Sequence, residues 1–166
     1  MKLRVPIRYL PRTLSNKDKK AQIRMLQKSR KLYKRNVYYT RKQLPSYHSK
    51  PSKHIINARK IYGVEKITPN AEIAKATGCS IDALAKIVKK GEGAYFSSGS
   101  RPNQTAQSWG YARLASSITA GKSAAVDYDI LDKGCDHTKK TFRLARLSRK
   151  KYNYGHSTAK KISVIE

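Results

Sequence analysis

Uncharged polar side chains are concentrated in residues 91–121, and these are the groups most able to form a ligand pocket. One interpretation is an anion site, in which Arg101 and a helix N-terminus hold the ligand. The interpretation we favour is a loop that hydrogen-bonds to its own backbone and braces the fold. No Gly-x-Ser-x-Gly turn is present, and no histidine is near these serines in sequence. This structural polar block contains Ser97, Ser98, Ser100, Arg101, Asn103, Gln104, Trp109 and Arg113.

The segment Ala120-Gly121-Lys122-Ser123 ends like a phosphate-binding P-loop. The first glycine of that motif would fall at position 116, which is a serine, and no strand pattern precedes it. Gly121 is better interpreted as the end of a helix. We therefore do not predict a nucleotide as a cofactor.

Metal-binding and acid–base groups are sparse. Cys135 and His137 are close in sequence, but no second pair completes a zinc site. Asp127 and Asp129 fall on opposed sides of a helix, so they do not form an acid–base pair. We predict no catalytic residue, no metal and no cofactor, and a protein that is not an enzyme. Cys79 and Cys135 are widely spaced, which predicts reduced cysteines rather than a disulfide scaffold.

Residues 71–87 have the spacing of a helix-turn-helix. Ala74 allows two helices to approach, Gly78 supplies a left-handed turn, and aliphatic residues six and nine positions later seat the second helix. Asp82 lies near the start of that second helix, where a DNA-reading helix needs hydrogen-bond donors rather than a carboxylate facing phosphates. We favour a structural pair of helices, with sequence-specific DNA reading as the alternative.

Positive charge is concentrated at the two ends of the chain. The 166 residues include 37 Lys+Arg and 10 Asp+Glu, for a net charge of +27. Residues 1–60 hold 19 basic residues and one acid, residues 61–135 hold 9 and 7, and residues 136–166 hold 9 and 2. Basic ends of this kind bind polyanions such as nucleic acid, acidic protein surfaces or anionic membranes. No apolar run is long enough to span a membrane, whereas contact with a membrane surface stays open.

The elements that position these residues are predicted to be helices, so the fold class is mainly α. We expect a small helical domain with an extended basic N-terminal arm and a C-terminal tail. Ser15 caps the first helix, and glycines end several of the others. The predicted helices cover 16–35, 52–62, 69–78, 80–91, 103 or 105 to 121, 123–133, and a last one from 136.

The same pattern predicts three parts of the chain. Residues 1–53 form a basic arm with one helix and a Tyr/Pro-rich extended linker that lies against a surface. Residues 54–150 form the compact helical domain. Residues 151–166 form a tail, which ends in a short strand at 162–165.

The central block resembles a family of small basic proteins of large double-stranded DNA viruses, including viruses of algae and amoebae. The resemblance is carried by GAYFSSGSRPNQT at 93–105 and SWGYARLAS at 108–116, and it extends over roughly residues 9–135. It implies a viral setting, with no established enzymatic activity. It further implies a minor capsid component beneath the capsid shell.

We therefore expect a virion structural protein that binds and stabilises neighbouring capsid proteins under the outer shell through its basic arms. Its expected partners are the major capsid protein and other minor capsid proteins, and its expected location is the virion capsid. The alternative is a DNA-binding or genome-condensing virion protein. Tyrosines interleaved with the charge favour packing against a folded surface. The expected partner-binding residues are Arg4, Arg8, Tyr9, Arg12, Tyr33, Tyr38, Tyr39, Arg41, Lys42 and Tyr47.

Overall fold

The computed structural model describes residues 2–156 and 159–165. This part of the chain forms eight α-helices and one two-stranded sheet, which confirms the prediction of a mainly α fold. The strands are β1 (Lys2–Pro6) and β2 (Lys161–Ile165). The helices are α1 (Asn16–Tyr33), α2 (Lys53–Tyr62), α3 (Ala71–Thr77), α4 (Ile81–Ser97), α5 (Ala106–Ser117), α6 (Lys122–Val126), α7 (Tyr128–Gly134) and α8 (Lys140–Lys151).

Polar caps and glycines set several helix ends where the sequence predicts them, but Gly121 does not end a helix, because α5 ends at Ser117 and Gly121 is the N-cap of α6. The Ser15 hydroxyl accepts the Asp18 N–H at 3.2 Å and starts α1. Gly63 and Gly78 follow α2 and α3 with φ of +62° and +72°, in the left-handed region that glycine enters without strain. The start of α3 is displaced from Pro69, because the Asn70 side chain accepts the Ile73 N–H at 2.9 Å and is the actual cap.

The predicted end of α4 at Gly91 is wrong, because the helix continues to Ser97. Gly91 is buried, and a Cβ at this position would lie 2.6 Å from the Cα of Gly110. The residue is glycine because another backbone packs closely against it, so its conformational freedom is not needed here. The helix ends before Gly99, which has a φ of +120°.

The single helix predicted for 123–133 is two helices, α6 and α7, which meet at Asp127. The predicted cap of the last helix also differs, because the Asp136 side chain accepts the Thr138 N–H at 2.9 Å and forms a turn before α8. The short C-terminal strand is confirmed as β2.

The N-terminal residues form a strand, β1, where the sequence predicts an extended basic arm. This strand pairs with β2 in antiparallel register, with Leu3 opposite Val164 and Val5 opposite Ile162. Because the period of a strand is two residues, both apolar pairs lie on the same face of the sheet. Leu3 and Val5 are buried there.

The described residues divide into two compact units, which differ from the three predicted parts. One unit contains residues 2–50, 92–109 and 159–165, and the other contains 51–91 and 110–156. The boundaries differ because residues 92–109 pack with the N-terminal residues, a long-range contact that local patterns do not reveal. The first unit has a core of Leu3, Val5, Tyr9, Leu10, Ile23 and Leu26 with Trp109 against it, and the second is built around Ile73, Leu84, Ile87, Leu114, Ile118, Leu131 and Phe142.

The second unit contains a disulfide between Cys79 and Cys135, so the prediction of two reduced cysteines is wrong. These cysteines lie just beyond the ends of α3 and α7, side by side as a short antiparallel bridge. On either side of it, the Ser80 N–H donates to the Gly134 carbonyl and the Asp136 N–H donates to the Gly78 carbonyl, each at 2.8 Å. A sequence separation of 56 residues conceals this proximity.

Candidate functional site

The side chain of Arg41 makes several hydrogen bonds within the first unit. Its side chain is only 6% exposed, although Arg41 is one of the residues predicted to bind a partner. Its guanidinium donates to the Ser29 hydroxyl and the Tyr95 carbonyl, both at 2.9 Å, and to the Ser100 hydroxyl at 2.8 Å. It also lies over the Tyr95 ring, 3.8 Å from the centroid. Arg41 therefore links residues within the first unit, and the prediction that it binds a partner is wrong.

The buried guanidinium of Arg41 has only neutral hydrogen-bond partners. No ion pair to this guanidinium is present in the described residues, and desolvation lowers its pKa from the ordinary value. Three neutral acceptors and one aromatic face compensate the positive charge instead. These contacts hold the segment 37–50, which has no regular secondary structure, against the end of α4.

Replacement of Arg41 by alanine is expected to destabilise the protein by about 2–4 kcal/mol, because two hydroxyls and a carbonyl lose a charged donor. Denaturant unfolding monitored by circular dichroism measures the change. The matched control is Lys42→Ala, which removes the next, exposed side chain and is expected to change stability by less than about 0.5 kcal/mol. Equal stabilities of the two variants would contradict the role assigned to Arg41.

Asn103 of the polar block forms hydrogen bonds with the backbone of the same segment, residues 37–50. Its side chain accepts the Leu44 N–H at 2.6 Å and donates to the carbonyls of Leu44 and Tyr47, at 3.2 and 2.8 Å. Its own φ is +61°, a conformation that asparagine tolerates better than most residues. The side chain thus replaces backbone partners that an irregular segment lacks.

Most other polar-block residues also bond within the chain. The Ser100 hydroxyl donates to the Arg101 carbonyl, the Ser98 carbonyl accepts two bonds from Arg30, and the Gln104 side chain accepts the Ser108 hydroxyl. The side chain of Arg101 is exposed. The polar groups of the block therefore bond both to one another and to α1. Within the described residues, no set of contacts assembles an anion pocket around Arg101.

Asp18 and Ser46 form another hydrogen-bonded contact between distant parts of the first unit. The Asp18 carboxylate accepts the Ser46 hydroxyl at 2.5 Å and the Ser46 N–H at 2.9 Å. These hydrogen bonds, with a smaller contribution from Lys17, lower the pKa of Asp18 below its ordinary value of 3.8.

Because the pKa of Asp18 is lowered on folding, its contact stabilises the protein above about pH 3.8 and is lost as the pH falls through the lower folded pKa. We therefore expect that a decrease in pH from 5 to 2, about three pH units, lowers the melting temperature of Asp18→Asn less than that of the unchanged protein. The control is Asp82→Asn, which alters an exposed carboxylate. Parallel melting curves for Asp18→Asn and the unchanged protein would contradict the assignment.

The second unit contains a buried carboxylate, Asp127, which is 1% exposed. Arg113 binds it with two parallel hydrogen bonds, at 2.8 and 2.7 Å, and the Lys90 ammonium lies 3.1 Å away. The Ser117 hydroxyl contacts the same carboxylate at 3.4 Å, and Ser123 bonds to both Ser117 and the Arg113 carbonyl. Sequence reasoning treated Asp127 only as part of a carboxylate pair, and it missed this network.

The expected partner-binding residues differ in accessibility. Tyr9 is 5% exposed and packs edge-on against Trp109, with centroids 6.1 Å apart, so it belongs to a core and its expected docking role is corrected. Tyr39 and Tyr47 are half-buried. The exposed members of the set are Arg4, Arg8, Arg12, Tyr33, Tyr38 and Lys42. The structure therefore leaves six of the ten side chains able to reach a partner directly.

An open pocket of about 300 Å³ lies between the start of α4 and α7 in the second unit. Its lining combines two carboxylates with two lysines, and none of the residues predicted for a site is part of it. The lining residues are Ser80, Asp82, Ala83, Lys86, Asp129, Ile130, Lys133 and Gly134. Mixed charge of this kind does not select a ligand of either sign. The described part of the chain contains no group of three or more His, Cys, Asp or Glu that could hold a metal ion.

The pair α3–α4 has the turn expected of a helix-turn-helix, but its first helix is only seven residues long. Ile81, Asp82 and Ala85 lie on the exposed face at the start of α4. An apolar and acidic surface there does not match the polar donors that read base edges. The geometry favours the structural pair of helices.

The comparisons with known proteins identify the family of the chain. It belongs to DUF5824, a family of unknown function, whose model matches residues 6–136. This match includes the polar block, the Arg113–Asp127 network and both cysteines. No curated protein and no solved structure matches the chain. Among the described residues, none of the helices has the length and apolar character needed to cross a membrane.

Proposed function

We propose that this chain is a non-enzymatic structural protein of a virus particle, a minor capsid component that binds and stabilises neighbouring capsid proteins. The viral setting rests on the resemblance carried by residues 93–116. The proposed partners are the major capsid protein and other minor capsid proteins, which the chain contacts under the outer shell.

The binding role is supported by the excess of positive charge, because the chain has 37 lysines and arginines and only 10 acidic residues to pair with them. In the described residues, two ion pairs use a lysine or arginine, and both Lys90 and Arg113 pair with the same carboxylate, Asp127. Most of the other lysines and arginines are exposed and available to acidic patches on other molecules, where they speed association and select the partner.

Two helices present this charge in a regular way. On α1, exposed cations follow a helical spacing, at Lys17, Lys20, Arg24, Lys28 and Lys31. On α8, the exposed basic residues are Lys140, Arg143, Arg146, Arg149, Lys150 and Lys151. Much of the N-terminal charge therefore lies on a folded element rather than on a free arm. A rigid basic surface loses less entropy on docking than an arm that must first become ordered.

A DNA-binding or genome-condensing virion protein is the second candidate, and the acid-free basic face of α8 favours it. Phosphates and acidic protein patches attract the same lysines, so charge alone does not separate the two functions. The helix-turn-helix geometry adds little to this candidate, because the exposed start of α4 is apolar and acidic.

Cross-linking of intact particles tests the proposal. A lysine-reactive cross-linker followed by mass spectrometry is expected to join lysines of α1 or α8 to the major capsid protein or another capsid component. Cross-links found only to nucleic-acid-associated proteins would support the second candidate. Absence of the chain from purified particles would overturn the viral setting.

A further inference from the structure

A cluster of exposed aromatic side chains lies at the end of α1, where Asn36 turns the chain with a φ of +58°. Tyr33, Val37 and Tyr38 are 37%, 47% and 66% exposed. The Tyr38 ring lies 6.2 Å from that of Tyr33 and 5.1 Å from that of Phe96. We refer to Tyr33, Val37, Tyr38 and Phe96 as the aromatic turn, and all four belong to the first unit.

The aromatic turn continues a line of positive charge. Lys34 and Arg35 are exposed beside it, and five of the exposed cations of α1, at 17, 20, 24, 28 and 31, lie on one face of the helix and lead towards it. Each step of three or four residues advances about 4.5–6 Å along the helix, so the line is about 21 Å long. We refer to these five cations as the basic stripe.

Carboxylates are absent from the described surface of this helix. Asp18 is the one acid of α1, and it is buried and bonded to Ser46. The other described acid of the first unit is Glu92, which is half-buried and lies on α4 four positions before Phe96. The stripe is thus a continuous positive surface without compensation from its own helix.

We propose that the aromatic turn and the basic stripe bind single-stranded nucleic acid. Phosphates lie along the stripe, and a base stacks on the exposed ring of Tyr38, with Tyr33 beside it. Proteins that bind single strands without sequence preference combine these two features, a basic track and aromatic platforms. This inference goes beyond the capsid role and does not depend on it.

Two features favour this ligand over its rivals. A duplex buries its base faces in the stack, so it would use the stripe but leave the tyrosines without a partner. An acidic protein surface carries charge at irregular positions, whereas one cation per helical turn suits the regularly repeated charge of a phosphate backbone. The exposed rings and the regular stripe together indicate a single strand.

Fluorescence anisotropy of the full chain with labelled oligonucleotides tests the proposal. The probes are oligo(dT) of about 20 nucleotides, an abasic strand of the same length, a duplex of the same length, and poly-glutamate. Because stacking is worth about 1–3 kcal/mol per base, we expect oligo(dT) to bind about 5- to 160-fold more tightly than the abasic strand.

Variants then locate the site. Tyr38→Ala is expected to remove most of the preference for oligo(dT) over the abasic strand, whereas Tyr154→Ala, at a 59% exposed tyrosine of the second unit, leaves it unchanged. Lys20→Gln with Arg24→Gln should weaken both strands and reduce the slope of log K against log salt by about 1.4, at about 0.7 per contact. Lys150→Gln with Lys151→Gln removes the same charge elsewhere and should alter the slope less.

The proposal is overturned if oligo(dT) and the abasic strand bind equally, or if the duplex binds more tightly than oligo(dT). It is also overturned if poly-glutamate binds as tightly as oligo(dT) and Tyr38→Ala weakens both equally, because the surface would then dock acidic protein. Circular dichroism of each variant checks that the exposed substitutions leave the fold intact.

Discussion

Asp127→Ala is expected to destabilise the second unit by about 3–5 kcal/mol, a larger loss than that expected for Arg41→Ala. Asp127 is the carboxylate to which both Arg113 and Lys90 pair. Its removal leaves the Arg113 guanidinium, whose side chain is 20% exposed, without its two charged hydrogen bonds. It also removes a partner of the buried Ser117 hydroxyl. Urea unfolding followed by circular dichroism measures the loss.

Asp129→Ala is the matched control, because it removes an exposed carboxylate two residues away and changes the net charge equally. It is expected to change stability by less than about 0.5 kcal/mol. A double-mutant cycle with Arg113→Ala isolates the pair, and a coupling energy of about 1–3 kcal/mol is expected. A loss for Asp127→Ala no greater than that for Asp129→Ala would show that the network does not hold these helices.

Loss of the Cys79–Cys135 disulfide is expected to cost about 2–4 kcal/mol, the second large effect. The bond closes a loop between residues 56 positions apart, so it restricts the unfolded chain over a third of its length. In the chain-entropy view, a longer loop gives a larger stabilisation of the folded state. Cys79→Ala with Cys135→Ala removes the bond without leaving an unpaired thiol.

The comparison uses a reducing agent as its internal control. The unchanged protein should lose stability when the disulfide is reduced, and the double variant should not respond to the reductant. Equal unfolding midpoints for oxidised protein, reduced protein and the double variant would mean that the disulfide contributes nothing to the fold.

Local chemistry allowed most of the fold to be predicted. Ser15 and Ser80 cap helices because their hydroxyls accept backbone N–H groups three residues later, and Gly63 and Gly78 end helices because the left-handed conformation suits glycine. The same reasoning failed at Gly91. There a built Cβ would lie 2.6 Å from a backbone atom of a neighbour that is 19 positions away in sequence.

The candidate sites were less predictable, because their partners are distant in sequence. Arg41 and Tyr9 look like any other members of a basic segment with tyrosines. Arg41 is buried because Tyr95 and Ser100 lie around it, and Tyr9 is buried because Trp109 packs against it. The two cysteines of the disulfide are a further case. Spacing rules detect ligands that are close in sequence, and none of these contacts is local.

The positive face of α1 was more accessible to sequence reasoning, although none of its five cations is in the predicted partner-binding set. The basic stripe follows from lysines and arginines at helical spacing opposite the apolar face of Ile23 and Leu26. The aromatic turn has no such signal, since its exposure depends on where α1 ends. Tyr38 contacts Phe96, which the sequence places in a different region of the chain.

Gentle disassembly of virus particles, followed by separation of the shells from the released genome, distinguishes a capsid role from a genome-bound role. We expect the chain to stay with the shells and with the major capsid protein after the genome has left. Recovery of the chain with the DNA, from shells that no longer contain it, would contradict the capsid role.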